Sequence, residues 1–352
     1  MKNALYFQKS FFSWDDILEI IKECIAQTQH DTFDIFCDFP LHFDHQRIKI
    51  YQEKNSNFFK NTFSLHKFLL QQKYESVLVF WENFPIFYNK NCFFLVPSLE
   101  KIWYPDLENI TFLKKYSDIL TQKMYLKNAQ KILCFTQTSK KDLNEKLNIE
   151  EEKIEVLPWF FWKISDTIPT QIDIKNKHSL QNDYIIYDAG LGSSKNLSRL
   201  LQSLKINNSH SKISLLLLWK EIANDITTRQ EVIQLWLEKE CIFVWNPDEK
   251  ERINYYKQSL WVFFPVLYNH FPFELKNAIS YNCPIFSSNG SEIQKIFWED
   301  ITYFSPLSIQ NMVETLKNLS HSQKDYSSLV KTYSIQSFVA STLKMIQSNH
   351  SL

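Results

Sequence analysis

Two glycines and a lysine in the stretch YDAGLGSSKNLSRLL, Gly190, Gly192 and Lys195, could neutralise a bound diphosphate. Backbone N–H groups in a glycine turn that opens a helix point at an anion, and a lysine beside them adds a full charge without a metal. The blander alternative is a solvated lysine after a flexible turn. Other groupings carry less chemistry. His42 and His45 flank Asp44, but three metal-ligating side chains on one loop read more simply as surface. The six cysteines, at 24, 37, 92, 134, 241 and 283, form no C-x-x-C pair. They read as buried small hydrophobes, with neither a zinc ribbon nor a disulfide framework. A two-domain dehydrogenase is disfavoured because no G-x-G-x-x-G with a downstream acid appears.

The elements around the glycine turn predict what must hold it. Short apolar runs alternate with longer amphipathic stretches, which argues for parallel sheets with helical crossovers. Strands are expected at Ala4–Phe7, Phe33–Cys37, Ser76–Phe80, Cys92–Val96, Lys131–Phe135 and Ile154–Leu157. In the second half they are expected at Tyr184–Tyr187, Ile213–Leu218, Cys241–Val244, Trp261–Phe264 and Pro284–Ser287. Long helices are expected at about Leu107–Asn128 and Ile335–Gln347. Ser139 and Asp142 have the S-x-x-D spacing of a helix N-cap. The polar stretch KISDTIPTQIDIKNKHSLQN reads as an interdomain linker.

At 352 residues the chain is long enough for two cores, and 44% hydrophobic with 22% charged residues is far from a disordered composition. Lysine plus arginine equal aspartate plus glutamate at 39 each, so no net field draws it to nucleic acid or an anionic bilayer. No apolar run reaches the roughly 18 residues of a membrane span, and Met1–Ser10 lacks a secretory signal pattern. The expectation is a cytoplasmic protein.

Four segments, in order, resemble glycosyltransferase family 4, a group of retaining GT-B enzymes, over residues 90–345. CFTQTSKKDL at 134–143 is similar to the family's strand-plus-helix V-S-x-x-S-K-x-D-L element. YIIYDAGLGSSKNLSRLL at 184–201 resembles the opening of its nucleotide domain. SLWVFFPVLYNHFPFELKNAISYNCPIFSSN at 259–289 aligns without gaps to its E-x7-E region, and SEIQKIFWEDITYFSP at 291–306 to the segment that follows.

The resemblance implies that Lys195 and its turn hold the diphosphate of a nucleotide-sugar donor. It places Asn277 at the ribose, and Asn269 with Phe271 at the donor sugar. Asn269 and Asn277 stand where the family carries its two glutamates. Asparagine keeps an acceptor oxygen but has no charge with which to stabilise a developing cation. Glu274 falls in the same turn at the family's proline place, and His270 is a second cleft candidate. The turn lacks the arginine the family adds there, Lys295 replaces a further glutamate, and Pro97 and Ser98 stand where many members carry a histidine.

The chain has 3 glycines against 10 tryptophans, where average usage of about 7% would give roughly 25 glycines. Trp219, Trp245 and Trp298 stand where the resembled family has turn glycines. Either they are ordinary aromatic residues, or the source reads UGA as glycine.

The expected fold is α/β, two Rossmann-like domains facing across a cleft (GT-B). Residues 1–165 form the acceptor-side domain, 166–182 the linker, and 183–334 the nucleotide-sugar domain, while 335–352 packs back toward the first domain. The function implied is transfer of a hexose from a nucleotide diphosphate sugar to a glycan, lipid-linked or protein acceptor, with retention. No cofactor, metal or nucleic-acid partner is expected, and contact with the inner face of the membrane is allowed. The alternative is a catalytically inactive GT-B scaffold.

Overall fold

The computed structural model describes residues 1–7, 14–37, 40–52, 62–80, 91–96, 120, 123–160, 172–209, 212–218, 225–245, 247–267, 275–289, 292–297, 301–320 and 324–348. These divide into two compact units, one drawn from 1–160 together with 333–348, the other from 172–332.

The first unit runs β1 (Lys2–Phe7), α1 (Trp14–Gln27), β2 (Thr32–Cys37), β3 (Ile48–Gln52), α2 (Thr62–Gln72), β4 (Ser76–Phe80), β5 (Cys92–Leu95), β6 (Lys131–Cys134), α3 (Gln137–Leu147) and β7 (Ile154–Val156). The strands form one parallel sheet in the order β3-β2-β1-β4-β5-β6-β7. Every residue of β4, Ser-Val-Leu-Val-Phe, is buried, as a strand covered by helices on both faces requires. The helix expected at 107–128 lies outside the described residues except for 120 and 123–128.

Helix α3 corrects the sequence reading. Its N-cap is Thr136, not Ser139: Thr136 is extended (φ −139°, ψ 154°) and its Oγ1 accepts the Ser139 N–H at 3.0 Å. Ser139 is already inside the helix, and Asp142 is paired with Lys146 at 2.7 Å. The S-x-x-D spacing therefore placed the start three residues late.

The second unit runs α4 (Ile174–Lys177), β8 (Tyr184–Tyr187), α5 (Leu197–Asn207), β9 (Ser214–Leu217), α6 (Ile226–Gln234), β10 (Cys241–Phe243), α7 (Glu249–Gln258), β11 (Val262–Phe264), α8 (Leu275–Ser280), β12 (Ile285–Ser288), α9 (Glu292–Phe297), β13 (Thr302–Phe304), α10 (Ile309–Lys317) and α11 (Ser327–Thr332). Its parallel sheet has the order β10-β9-β8-β11-β12-β13. Relative to the first strand of each unit, both sheets grow outward and then reverse, the doubly wound Rossmann order.

The chain then returns to the first unit as α12 (Ile335–Ser348). Phe338, Val339, Leu343 and Ile346 of α12 share an apolar seam with Ile20 and Cys24 of α1. Phe338 also packs on Phe135 and Phe160, with ring centroids at 6.1 and 4.8 Å. Fully burying such side chains is worth about 1.5–3 kcal/mol each. At the rim, Gln336 donates to Glu23 at 2.8 Å, and Gln27 donates to the Gln336 carbonyl at 3.1 Å.

All six cysteines are buried free thiols. Among the described residues no cluster of histidine, cysteine, aspartate or glutamate could hold a metal, and His45 Nδ1 instead accepts the Arg47 N–H at 3.2 Å. No helix among them is long and apolar enough to cross a membrane.

Candidate functional site

In a doubly wound sheet, ligands settle at the carboxyl ends of the strands where the winding reverses, because the two neighbouring loops diverge there. In the second unit that point lies between β8 and β11. The sequence builds the β8 side from four buried residues, Tyr-Ile-Ile-Tyr, followed by a turn that only glycine enters easily. Gly190 and Gly192 have φ of 82° and 123°, values open to glycine because it has no Cβ. A single 3₁₀ turn, Ser193–Lys195, follows, then Asn196 in the left-handed region (φ 59°), then α5.

Side chains from distant parts of the unit hold this turn in place. The buried Tyr187 hydroxyl donates to the carbonyls of Gly190 at 2.8 Å and Lys195 at 3.2 Å. The Leu267 N–H, on the loop after β11, donates to the Ser194 carbonyl at 2.7 Å. Asn196 is 4% exposed. Its Nδ2 donates to the carbonyls of Pro265 at 2.9 Å and Pro306 at 2.8 Å, and its Oδ1 accepts from Arg199 at 2.7 Å. Ser288, at the end of β12, donates to the Val266 carbonyl. Segments following β8, β11 and β13 are thereby tied at one edge of the sheet.

A charged network lies directly before the turn. Asp188 is 3% exposed, and its Oδ2 accepts from Arg252 of α7 at 3.1 Å and from the Tyr256 hydroxyl. Burial, and then the Asp188 charge, push the Tyr256 phenol well above its usual range, so Tyr256 stays a proton donor to the carboxylate. The network fixes the Asp188 side chain and the Arg252 guanidinium beside β8.

Gly190 is buried, Gly192 is exposed and Lys195 is half-buried in the one turn. Asn277 is half-buried in the first turn of α8, whose chain arrives from β11. Asn269, His270, Phe271 and Glu274 lie outside the described residues, as do Pro97, Ser98, Trp219 and Trp298, and nothing about the side chain of Lys295 is described. Sequence reasoning missed Asn196, Tyr187, Asp188 and Arg252. Asn196 had a signal, since asparagine is a favoured non-glycine residue in the left-handed region. Asp188 and Arg252 had none, because their pairing across 64 residues is fixed by topology, and nothing in the sequence marks Tyr187, although its partners lie only 3 and 8 residues on.

Residues 170–334 match the family model of glycosyl transferases group 1. No curated protein sequence matches the chain. Solved structures match it over nearly its whole length at low identity. Sucrose-phosphate synthase from Thermosynechococcus elongatus has a TM-score of 0.76 at 12% identity, covering 100% of this chain and 99% of that one. Anabaena HepE, solved in complex with UDP and glucose, has a TM-score of 0.72 at 10% identity, covering 99% and 100%. WaaG, a glycosyltransferase involved in lipopolysaccharide biosynthesis, has a TM-score of 0.69 at 14% identity, covering 98% and 99%. The second sheet thus lies inside the segment that matches the glycosyl transferases group 1, and the chain has the GT-B fold of these structures throughout.

Proposed function

We propose that the chain transfers a hexose from a nucleotide diphosphate sugar to a glycan, lipid-linked or protein acceptor, with retention of configuration, as glycosyltransferase family 4 enzymes do. The observation that carries this reading is the buttressed Gly190–Lys195 turn at the reversal of the second sheet. The backbone of the exposed Gly192 and Ser193, at the approach to α5, and the Lys195 ammonium would neutralise a diphosphate as it leaves. Asn277 would hold the ribose, and Asn269 with Phe271 the sugar; His270 and Glu274 are further candidates in that loop. Anabaena HepE, which shares the fold, binds UDP and glucose, and that supports a nucleotide-sugar as donor. No cofactor beyond the donor is called for, and the reaction is placed in the cytoplasm, at the inner face of the membrane where the acceptor is lipid-linked.

A second reading, a GT-B scaffold that binds without turnover, is favoured by one observation. Asn269 and Asn277 carry no charge where the resembled family uses carboxylates, and a neutral amide stabilises a developing oxocarbenium less well. Calorimetry with UDP, GDP and ADP and their glucose conjugates, with nucleoside diphosphate release followed over time, separates the two. Saturable binding with turnover, both lost in Lys195→Ala, establishes the transferase. Binding without release in the presence of glycan and lipid acceptors leaves the scaffold, and no binding to any of the probes sinks both.

A further inference from the structure

Tryptophan plays two different parts in this molecule. Trp159 is 3% exposed and packs its ring on Tyr333 with centroids 4.8 Å apart. Trp261 is 6% exposed, stacks on Phe286 at 4.0 Å and donates its indole N–H to the Ser320 carbonyl at 2.9 Å. Both use a large ring and its polar edge as buried tryptophans do. Trp236 is 77% exposed.

Its backbone is the sharper anomaly. Trp236 follows α6 and Leu235 with φ of 57°. Its N–H bonds the Ile233 carbonyl at 2.9 Å, and the next N–H, of Leu237, reaches back to Val232 at 3.0 Å. These paired bonds close a helix through a left-handed residue, a place glycine fills because any Cβ crowds the backbone there. The other non-glycine residues at positive φ among those described are four asparagines, a serine and a lysine. A bulky aromatic there is an outlier, and this one has no buried contact to offset the strain. The two described glycines both sit at positive φ, so the chain spends its scarce glycine where the backbone demands it, yet has only 3 in 352 residues.

We propose that position 236 is glycine in the protein as its own cell makes it, encoded by UGA, the codon that different genetic codes read as tryptophan or as glycine. A genome reads UGA one way, so the two tryptophans that behave as tryptophan, 159 and 261, must be encoded by UGG. Replacing the indole at 236 removes strain from a helix end at no cost in packing and leaves the backbone bonds in place.

The codons are the first readout: UGA at 236 with UGG at 159 and 261 is expected, whereas UGG at 236, or UGA at either buried site, overturns the proposal. The second is the mass of the tryptic peptide 230–239, bounded by Arg229 and Lys239, from protein isolated from its host. Glycine at 236 is expected and tryptophan overturns it. A third tests the backbone argument in recombinant protein carrying tryptophan. Trp236→Gly raises Tm by about 2–4 °C, while Trp261→Gly lowers it; a fall in Tm on Trp236→Gly refutes the strain on which the assignment stands.

Discussion

Replacing Asn196 tests whether the candidate diphosphate turn is held from below or merely lies there. Asn196→Gly keeps the left-handed backbone (φ 59°) at no steric cost but deletes two donors at 2.9 and 2.8 Å to the carbonyls of Pro265 and Pro306, and the acceptor for Arg199 at 2.7 Å. Leaving a buried polar group unsatisfied costs about 1–3 kcal/mol, so the two carbonyls set the loss at about 2–6 kcal/mol. Asn196→Ala loses the same bonds and adds about 1–2 kcal/mol for a Cβ in the left-handed region. Asn196→Asp is also worse than Gly, because it turns carboxylate oxygen toward two carbonyl oxygens. In urea, with a slope of about 2 kcal/mol per molar, a loss of about 3 kcal/mol moves the midpoint down by roughly 1.5 M. Nucleoside diphosphate affinity should fall in the same variants, since the turn that presents Lys195 loses its side-chain anchors to the loops after β11 and β13 and keeps the backbone bond from Leu267. A midpoint for Asn196→Gly unchanged from the parent, or an Asn196→Ala as stable as Asn196→Gly, would refute the reasoning.

Arg252→Ala strands the Asp188 carboxylate in a buried site and is expected to cost about 2–4 kcal/mol, below the fully buried figure because the Arg252 side chain is 24% exposed. Adding Asp188→Asn should recover part of that loss in a double-mutant cycle on thermal stability. His178, which bonds the Tyr255 hydroxyl at 2.6 Å, has its pKa held below the usual imidazole value by burial and then by Lys177. Because the folded value is the lower one, its contribution is intact above about pH 6.5 and is lost as pH falls through that range, where the unfolded chain takes the proton first; His178→Gln should flatten urea midpoints between pH 7 and 5. Burial pushes the thiols of Cys24, Cys134 and Cys283 up to about 12, so iodoacetamide at pH 8 should label the native protein slowly and the urea-unfolded protein at all six cysteines, and fast native labelling of these three would contradict their burial.

The central strands were legible because a parallel strand covered on both faces leaves an unbroken apolar run. Ser76–Phe80 and Tyr184–Tyr187 were placed to the residue. The two that escaped, β3 (Ile-Lys-Ile-Tyr-Gln) and β13 (Thr-Tyr-Phe), are outermost in their sheets. An edge strand keeps one side toward solvent, so β3 carries Lys49 and β13 begins on an exposed threonine, and their apolar signal is diluted. At the site, the two glycines and Lys195 announced the turn. The partners of its supports did not, since Asn196, legible only as a residue suited to the left-handed region, reaches Pro265 and Pro306 across 69 and 110 residues, and Asp188 reaches Arg252 across 64. Such partners follow from strand order, which local spacing does not encode.

The return of α12 to the first unit has a bearing on how the protein is made. Its seam partners on α1 leave the ribosome about 310 residues before Phe338 does, and synthesis runs at about 5–20 residues per second. Through that interval nearly all of the second unit, whose described residues lie within 172–332, is made and can begin to fold, while the first waits with the apolar side of α1 bare. The earlier-born unit is thus the later to finish, and a holdase chaperone would have its binding window on the nascent chain there, a window that closes when the last helix docks.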